Sequence, residues 1–124
     1  MTTLTKTPGR AATAIAWTLQ IACAAMFLFA GGSKLAGNPD MVTAFNTIGV
    51  GQWFRYLTAA IEVIGALLLL VPSLAFFGAL ALAMTMVGAV MTHLFIIGGS
   101  PVPAIVLLAA TSAIAWLRRP MARI

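Results

Sequence analysis

Charge is what this chain has least of. Only 7% of its 124 residues are charged, against about 25% in an ordinary soluble domain. Just two residues are acids, Asp40 and Glu62. With 62% hydrophobic residues and a mean hydropathy of +1.08, the chain lacks the polar side chains to cover a surface facing water. Lipid is the medium its apolar side chains can face instead. Cysteine is nearly absent as well. Cys23 alone makes neither an intrachain disulfide nor a CxxC pair, so it reads as a small packing residue, and redox chemistry would require a cofactor or a partner. His93 is the single histidine, which excludes bis-histidine haem ligation within one chain, and no cysteine–histidine cluster suggests a metal. No glycine-rich loop follows a strand, so there is no nucleotide motif. The net charge of +5 does not point to nucleic acid, because the bases are not interleaved with aromatics. Lys6 and Arg10 precede the first apolar run, and Arg118, Arg119 and Arg123 follow the last. That is the pattern of cytoplasmic flanks.

Four apolar segments are present, at about residues 11–33, 53–71, 73–97 and 102–117. The first imitates a signal peptide but exceeds the ~7–15 residues of a typical apolar signal region, and is expected to be a retained membrane helix. Each run is near the ~20 residues needed to cross a bilayer, the last somewhat short. Helices are the expected form, since backbone groups in lipid must be satisfied within the segment. Pro72-Ser73 and Gly98-Gly99-Ser100-Pro101 are turn signals, and short connections make antiparallel neighbours. The expected fold is all-α: one membrane domain, a four-helix transmembrane up-down bundle with both termini cytoplasmic. The longer first connection contains "NPDMVTAFNTIG". Asn38 suits an N-cap, Pro39 the first helical position and Asp40 the positive end of the dipole. Met41, Val42, Phe45 and Ile48 recur at helical spacing and Gly49 can close the helix. A short amphipathic helix on the outer mouth of the bundle is expected, with an irregular loop as the alternative. Trp17 and Trp116 toward one side, and Trp53 and Tyr56 toward the other, form the two interfacial aromatic belts.

Glu62 interrupts "YLTAAIEVIGALLLLVP". Counting from Trp53 places it about 13 Å below the outer edge of its helix, near the middle of the hydrocarbon. It shares a face with Arg55, Thr58, Gly65 and Ala66. Small residues mark the face that meets neighbouring helices, so Glu62 is expected to point inward. Thr85, Ala89 and His93 form a stripe on the next long helix, and Gln20, Phe27 and Lys34, with Ala24 and Gly31 beside them, form one on the first. Glu62, His93, Lys34 and Arg55 are therefore candidates for ligand binding or proton exchange, and Gln20, Phe27, Gly31, Thr58, Thr85 and Ala89 for the pocket lining. Arg55 lies about 10 Å from Glu62 along the axis, so Lys34 or His93 is the easier partner. The competing explanations are structural. Lys34 and Arg55 could snorkel to the interface, His93 could be a satisfied structural histidine, and Glu62 could pin helices in register. Intramembrane ionisable groups favour a functional site.

From Met26 to Leu117 the chain resembles the DoxX and DoxX-like family of small bacterial membrane proteins. "FLFAGGSKLAG", "AFNTIGVGQWFRYLTAAIEVIGALLLLVP" and "GAVMTHLF" carry the resemblance, with Lys34, Glu62 and His93 at matching positions. It implies a four-helix bundle in the bacterial inner membrane, and partnership with membrane oxidoreductases, including quinone-linked ones. Three functions follow: a redox-associated subunit whose pocket takes a quinone or similar head group; a binder or carrier of a small lipophilic molecule, for which transport would need a homo-oligomer; or a non-catalytic assembly subunit. No cofactor is required by the residues themselves, quinone being the one the first reading would use.

Overall fold

The computed structural model describes residues 9–120, so Lys6 and Arg123 lie outside the described residues. The described residues form five α-helices: α1 Arg10–Ala36, α2 Pro39–Ile48, α3 Trp53–Leu69, α4 Ala75–Thr92 and α5 Val102–Leu117. α4 runs directly into a π-helical turn, His93–Ile97. Among the described residues there is no strand.

The ends follow local chemistry. α1 continues to Ala36, beyond the expected limit near residue 33, and stops where Gly37 takes the left-handed conformation, φ 74°. Lys34 therefore lies in the last helical turn, where a cation complements the dipole. α3 ends at Leu69, two residues short of the expected 71, because the residue before Pro72 is pushed out of the helical region. α4 starts at Ala75 where 73 was expected, so the reversal is a turn over residues 70–74, closed by the Leu74 amide on the Val71 carbonyl at 2.9 Å. The expected helix through residue 97 is α-helical only to Thr92.

Four helices pack in a ring: α1 against α3 and α5, and α4 against α3 and α5. α3 and α4 run antiparallel, since Gly65 faces Leu82 while Gly78 faces Leu68 and Leu69. Close approach there depends on missing side chains. A Cβ on Gly78 would sit 2.8 Å from the Gly65 carbonyl oxygen and from Leu68 Cβ. Between helices in lipid there is no gain from leaving water, so such close van der Waals contact is the main cohesive term. Phe27, Leu69, Leu82 and Ile114 fill the centre with Cys23 and several alanines.

The exterior is apolar. Phe29 and Phe95 are each 75% exposed, and Ile21, Ile64, Met84, Val106 and Trp116 also face outward. Apolar exposure of this extent is rare on water-soluble monomers and marks surfaces that meet lipid or another protein. By length and composition α1 and the continuous unit Ala75–Ile97 can each cross a membrane. α2 and α3, bent by 117° at the break between them, form a third candidate. α5 is apolar and 16 residues long.

Gly78→Val is expected to cost about 1–3 kcal/mol through overpacking, lowering the melting temperature in detergent. Gly88→Ala, where nothing lies within 4 Å of the added Cβ, should leave it unchanged. Equal behaviour of the two variants would refute this account of the α3–α4 contact.

Candidate functional site

α2 forms as its residues require. The Asn38 side chain accepts from the Asp40 amide at 3.0 Å, Pro39 occupies the first turn, and Gly49 ends the helix at φ 83°. Its apolar face, Met41, Ala44, Phe45 and Ile48, turns toward α3 and the π-turn and forms one wall of a cavity of about 370 Å³. Phe45 is buried and meets Phe54 edge-on, with centroids 5.8 Å apart. The other walls come from the first half of α3, the second half of α4 and the π-turn. The helix pair that closes tightly at Gly65 and Gly78 thus holds the cavity between its opposite ends.

Most of the lining is apolar. Its polar members are Lys34, Thr58, Glu62, Thr85, Thr92 and His93. Glu62 is 2% exposed. Lys34 Nζ lies 2.7 Å from Glu62 Oε1. The contact is an ion pair without well-angled hydrogen bonding at Oε1. Among the described residues no donor but Lys34 approaches the carboxylate. Gly31, one turn before Lys34, makes the pair possible. A Cβ on it would fall 2.7 Å from Val63 Cγ2 and 3.2 Å from the Ala59 carbonyl oxygen, so its absence lets α1 close onto α3 at this level.

The three threonines spend their hydroxyl protons on their own helices. Thr58 donates to the Phe54 carbonyl (2.8 Å), Thr85 to Ala81 (2.9 Å) and Thr92 to Gly88 (2.7 Å). Their remaining lone pairs are acceptors. His93 Nδ1 lies 2.9 Å from the Gly98 carbonyl oxygen. A carbonyl only accepts, so Nδ1 carries the proton, and in a neutral ring Nε2 is an acceptor.

Arg55 has a different place from the one expected. It is buried but does not line the cavity or reach Glu62. Its Nη1 donates to the Lys34 carbonyl at the end of α1, and its Nε donates to Gln52 Oε1 at 2.7 Å. Gln52 Nε2 in turn donates to the Val42 carbonyl (3.1 Å) and to Asn46 Oδ1 (2.8 Å) on α2. Arg55 therefore joins the end of α1 to the start of α3 and, through Gln52, to α2.

Three expected lining residues are also elsewhere. Phe27 is wholly enclosed in the core, and Gly31 is the contact surface for α3. Gln20 is buried near the opposite end, where its Nε2 donates to the Leu69 carbonyl and its Oε1 accepts from Arg118 Nε, both at 2.7 Å. Steps of seven keep Gln20 and Lys34 on one face but separate them by about 21 Å along α1. Thr58, Thr85 and Ala89 do line the cavity, with Lys34, Glu62 and His93. Sequence reading missed the cavity role of Met41, Phe45 and Ile48, although their helical spacing was visible, and had no signal for Gln52. Among the described residues no group of three or more His, Cys, Asp or Glu side chains is placed to hold a metal.

A helical fold with an apolar exterior, whose described bases are folded inward or lie near the chain ends, is that of a membrane protein. The family model described as the DoxX-like family matches residues 18–117, and the chain belongs to that family. No match was found among curated proteins or among solved structures.

Lys34→Met is expected to destabilise the protein by about 3–5 kcal/mol, because it strands a buried carboxylate. Adding Glu62→Leu to it should recover most of that loss, as measured by unfolding in mixed micelles. A double variant no more stable than the single one would contradict the pairing.

Proposed function

We propose that α1, α3, α4 with its π-turn, and α5 each cross the bacterial inner membrane as a four-helix bundle, with both termini cytoplasmic and α2 on the outer mouth. The charge pattern supports this. Arg10, Arg118 and Arg119 gather at the helix ends remote from α2. At the α2 end, the bases Lys34 and Arg55 are folded inward onto Glu62 and the α1 carboxyl end, so they add little positive charge to the outer loops. The 17 residues of α3 span about 26 Å, slightly less than the core, and the turn at residues 70–74 supplies the remainder. In a Cys23→Ser background, a cysteine at Asn46 should react with an impermeant maleimide on cells, and one at Ser73 only after permeabilisation. The reverse pattern would invert the topology.

The bundle's function in this reading is to hold a small lipophilic molecule with a polar head group, of the quinone class, as a membrane subunit associated with an oxidoreductase. The observation that carries it is the Glu62 carboxylate: nearly inaccessible, on the wall of an apolar cavity, and paired among the described residues with Lys34 alone. A purely structural pin would have packing around it, and here about 370 Å³ is open beside it. That volume falls in the range of small-molecule sites, which pair apolar walls with a few placed polar groups. The chain's one thiol, Cys23, lies in the helical core and not on the cavity, so electrons would pass between the bound molecule and a partner. Mass spectrometry of protein purified in mild detergent should find a quinone retained by wild type and lost from Glu62→Gln at a temperature where the variant is still fully folded. Retention of a different lipophilic molecule would favour a carrier, and no retained molecule in either protein would favour a purely structural subunit.

A further inference from the structure

The cavity has an unequal supply of hydrogen-bonding groups. Its acceptors are the Glu62 carboxylate, the three threonine oxygens whose protons are already donated within their helices, and His93 Nε2. Among the described residues its one free donor side chain is Lys34, whose ammonium is shared with Glu62 at 2.7 Å and so is outnumbered by the acceptors. The helical backbone around the cavity is internally bonded and supplies no further donors. From this imbalance we infer that the site takes a head group bearing hydroxyl protons, a phenol or hydroquinone, in preference to a dicarbonyl of the same shape. The inference rests on the cavity being a ligand site and specifies which chemical form of the ligand it selects.

The physical basis is the cost of unmade bonds. A hydroxyl on the ring can donate to Glu62, to Nε2 of His93 or to a threonine oxygen. A carbonyl in its place sets lone pair against lone pair, and leaves the protein acceptor unsatisfied in an apolar surrounding, where the deficit is not relieved by water. Lys34 has three N–H groups and gives one to Glu62, so it can serve one carbonyl oxygen beside that contact. A quinone has a second carbonyl, which then meets only acceptors. Sites built around hydrogen bonds to a hydroxyl discriminate strongly against analogues that lack it.

The test uses the full chain in lipid nanodiscs at neutral pH, with three probes of similar size: 1-naphthol, 1-methoxynaphthalene and 1,4-naphthoquinone. Empty nanodiscs correct for partition into lipid, and binding is measured by equilibrium dialysis. 1-Naphthol should bind at least about tenfold more tightly than either of the others. Glu62→Gln exchanges a pure acceptor for a group that also donates, so it should weaken 1-naphthol and strengthen 1,4-naphthoquinone. A merely structural role for Glu62 would shift all three probes together. If the ether or the quinone binds wild type as well as 1-naphthol does, the donor preference is wrong and the ligand site stands. If none of the three binds beyond empty nanodiscs, the ligand site itself fails, and the preference with it.

Discussion

A carboxylate and an ammonium 2.7 Å apart, both shielded from water, hold this structure to one arrangement. Each charge alone would be costly in an apolar interior, and together they remain costly unless their geometry is kept. Gly31 keeps it by removing the side chain that would hold α1 off α3. At the far end of the same interface, Gln20 satisfies the Leu69 carbonyl and receives Arg118. The α1–α3 contact is thus fixed in register by polar groups at both ends, with small residues and Phe27 between. Sliding α1 by one helical turn would break both sets at once.

α2 and its attachments follow from the same constraint. With Lys34 drawn inward to Glu62, the last carbonyls of α1 still need donors. Gly37 and Asn38 supply backbone amides, and Arg55 adds its guanidinium at the Lys34 carbonyl. Arg55 also fixes Gln52, and Gln52 fixes α2. The helix covering the cavity is therefore tied to the backbone of the residue whose side chain forms the ion pair inside it. Stability at the mouth and charge placement in the cavity depend on the same few bonds.

Much of this was legible in the residues. Apolar runs and turn signals located the helices to within a few positions, and the Asn38-Pro39-Asp40 start and Gly49 stop of α2 appear where local chemistry puts them. The inward direction of Glu62 followed from the small residues on its face. Depth was less legible than direction. Gln20 and Lys34 share a face of α1, so a helical wheel joins them, yet they serve opposite ends of the bundle. Arg55 shares a face of α3 with Glu62 and so read as a member of the same site, but its guanidinium is taken by the Lys34 carbonyl at the end of α1 and by Gln52. The π-turn at His93–Ile97 had no signal in the apolar pattern, which runs through residue 97 without a break.

The position of the cavity bears on how it would be used. Gly65 and Gly78 bring α3 and α4 together near their connecting turn, and the space lies between the other halves of the same helices. α2 closes that space toward the mouth, but Leu57, which lines it, is 44% exposed on the apolar exterior. A lipophilic molecule could reach Glu62 sideways from the bilayer without crossing the Arg55–Gln52 tie. Lateral access also agrees with the hydrogen-bonding character of the cavity. A molecule already dissolved in lipid leaves its hydroxyl protons poorly satisfied there, and finds in the cavity acceptors that the hydrocarbon lacks. In the proposed reading, the low dielectric that makes the buried ion pair demanding to maintain is also what makes its carboxylate attractive to such a ligand.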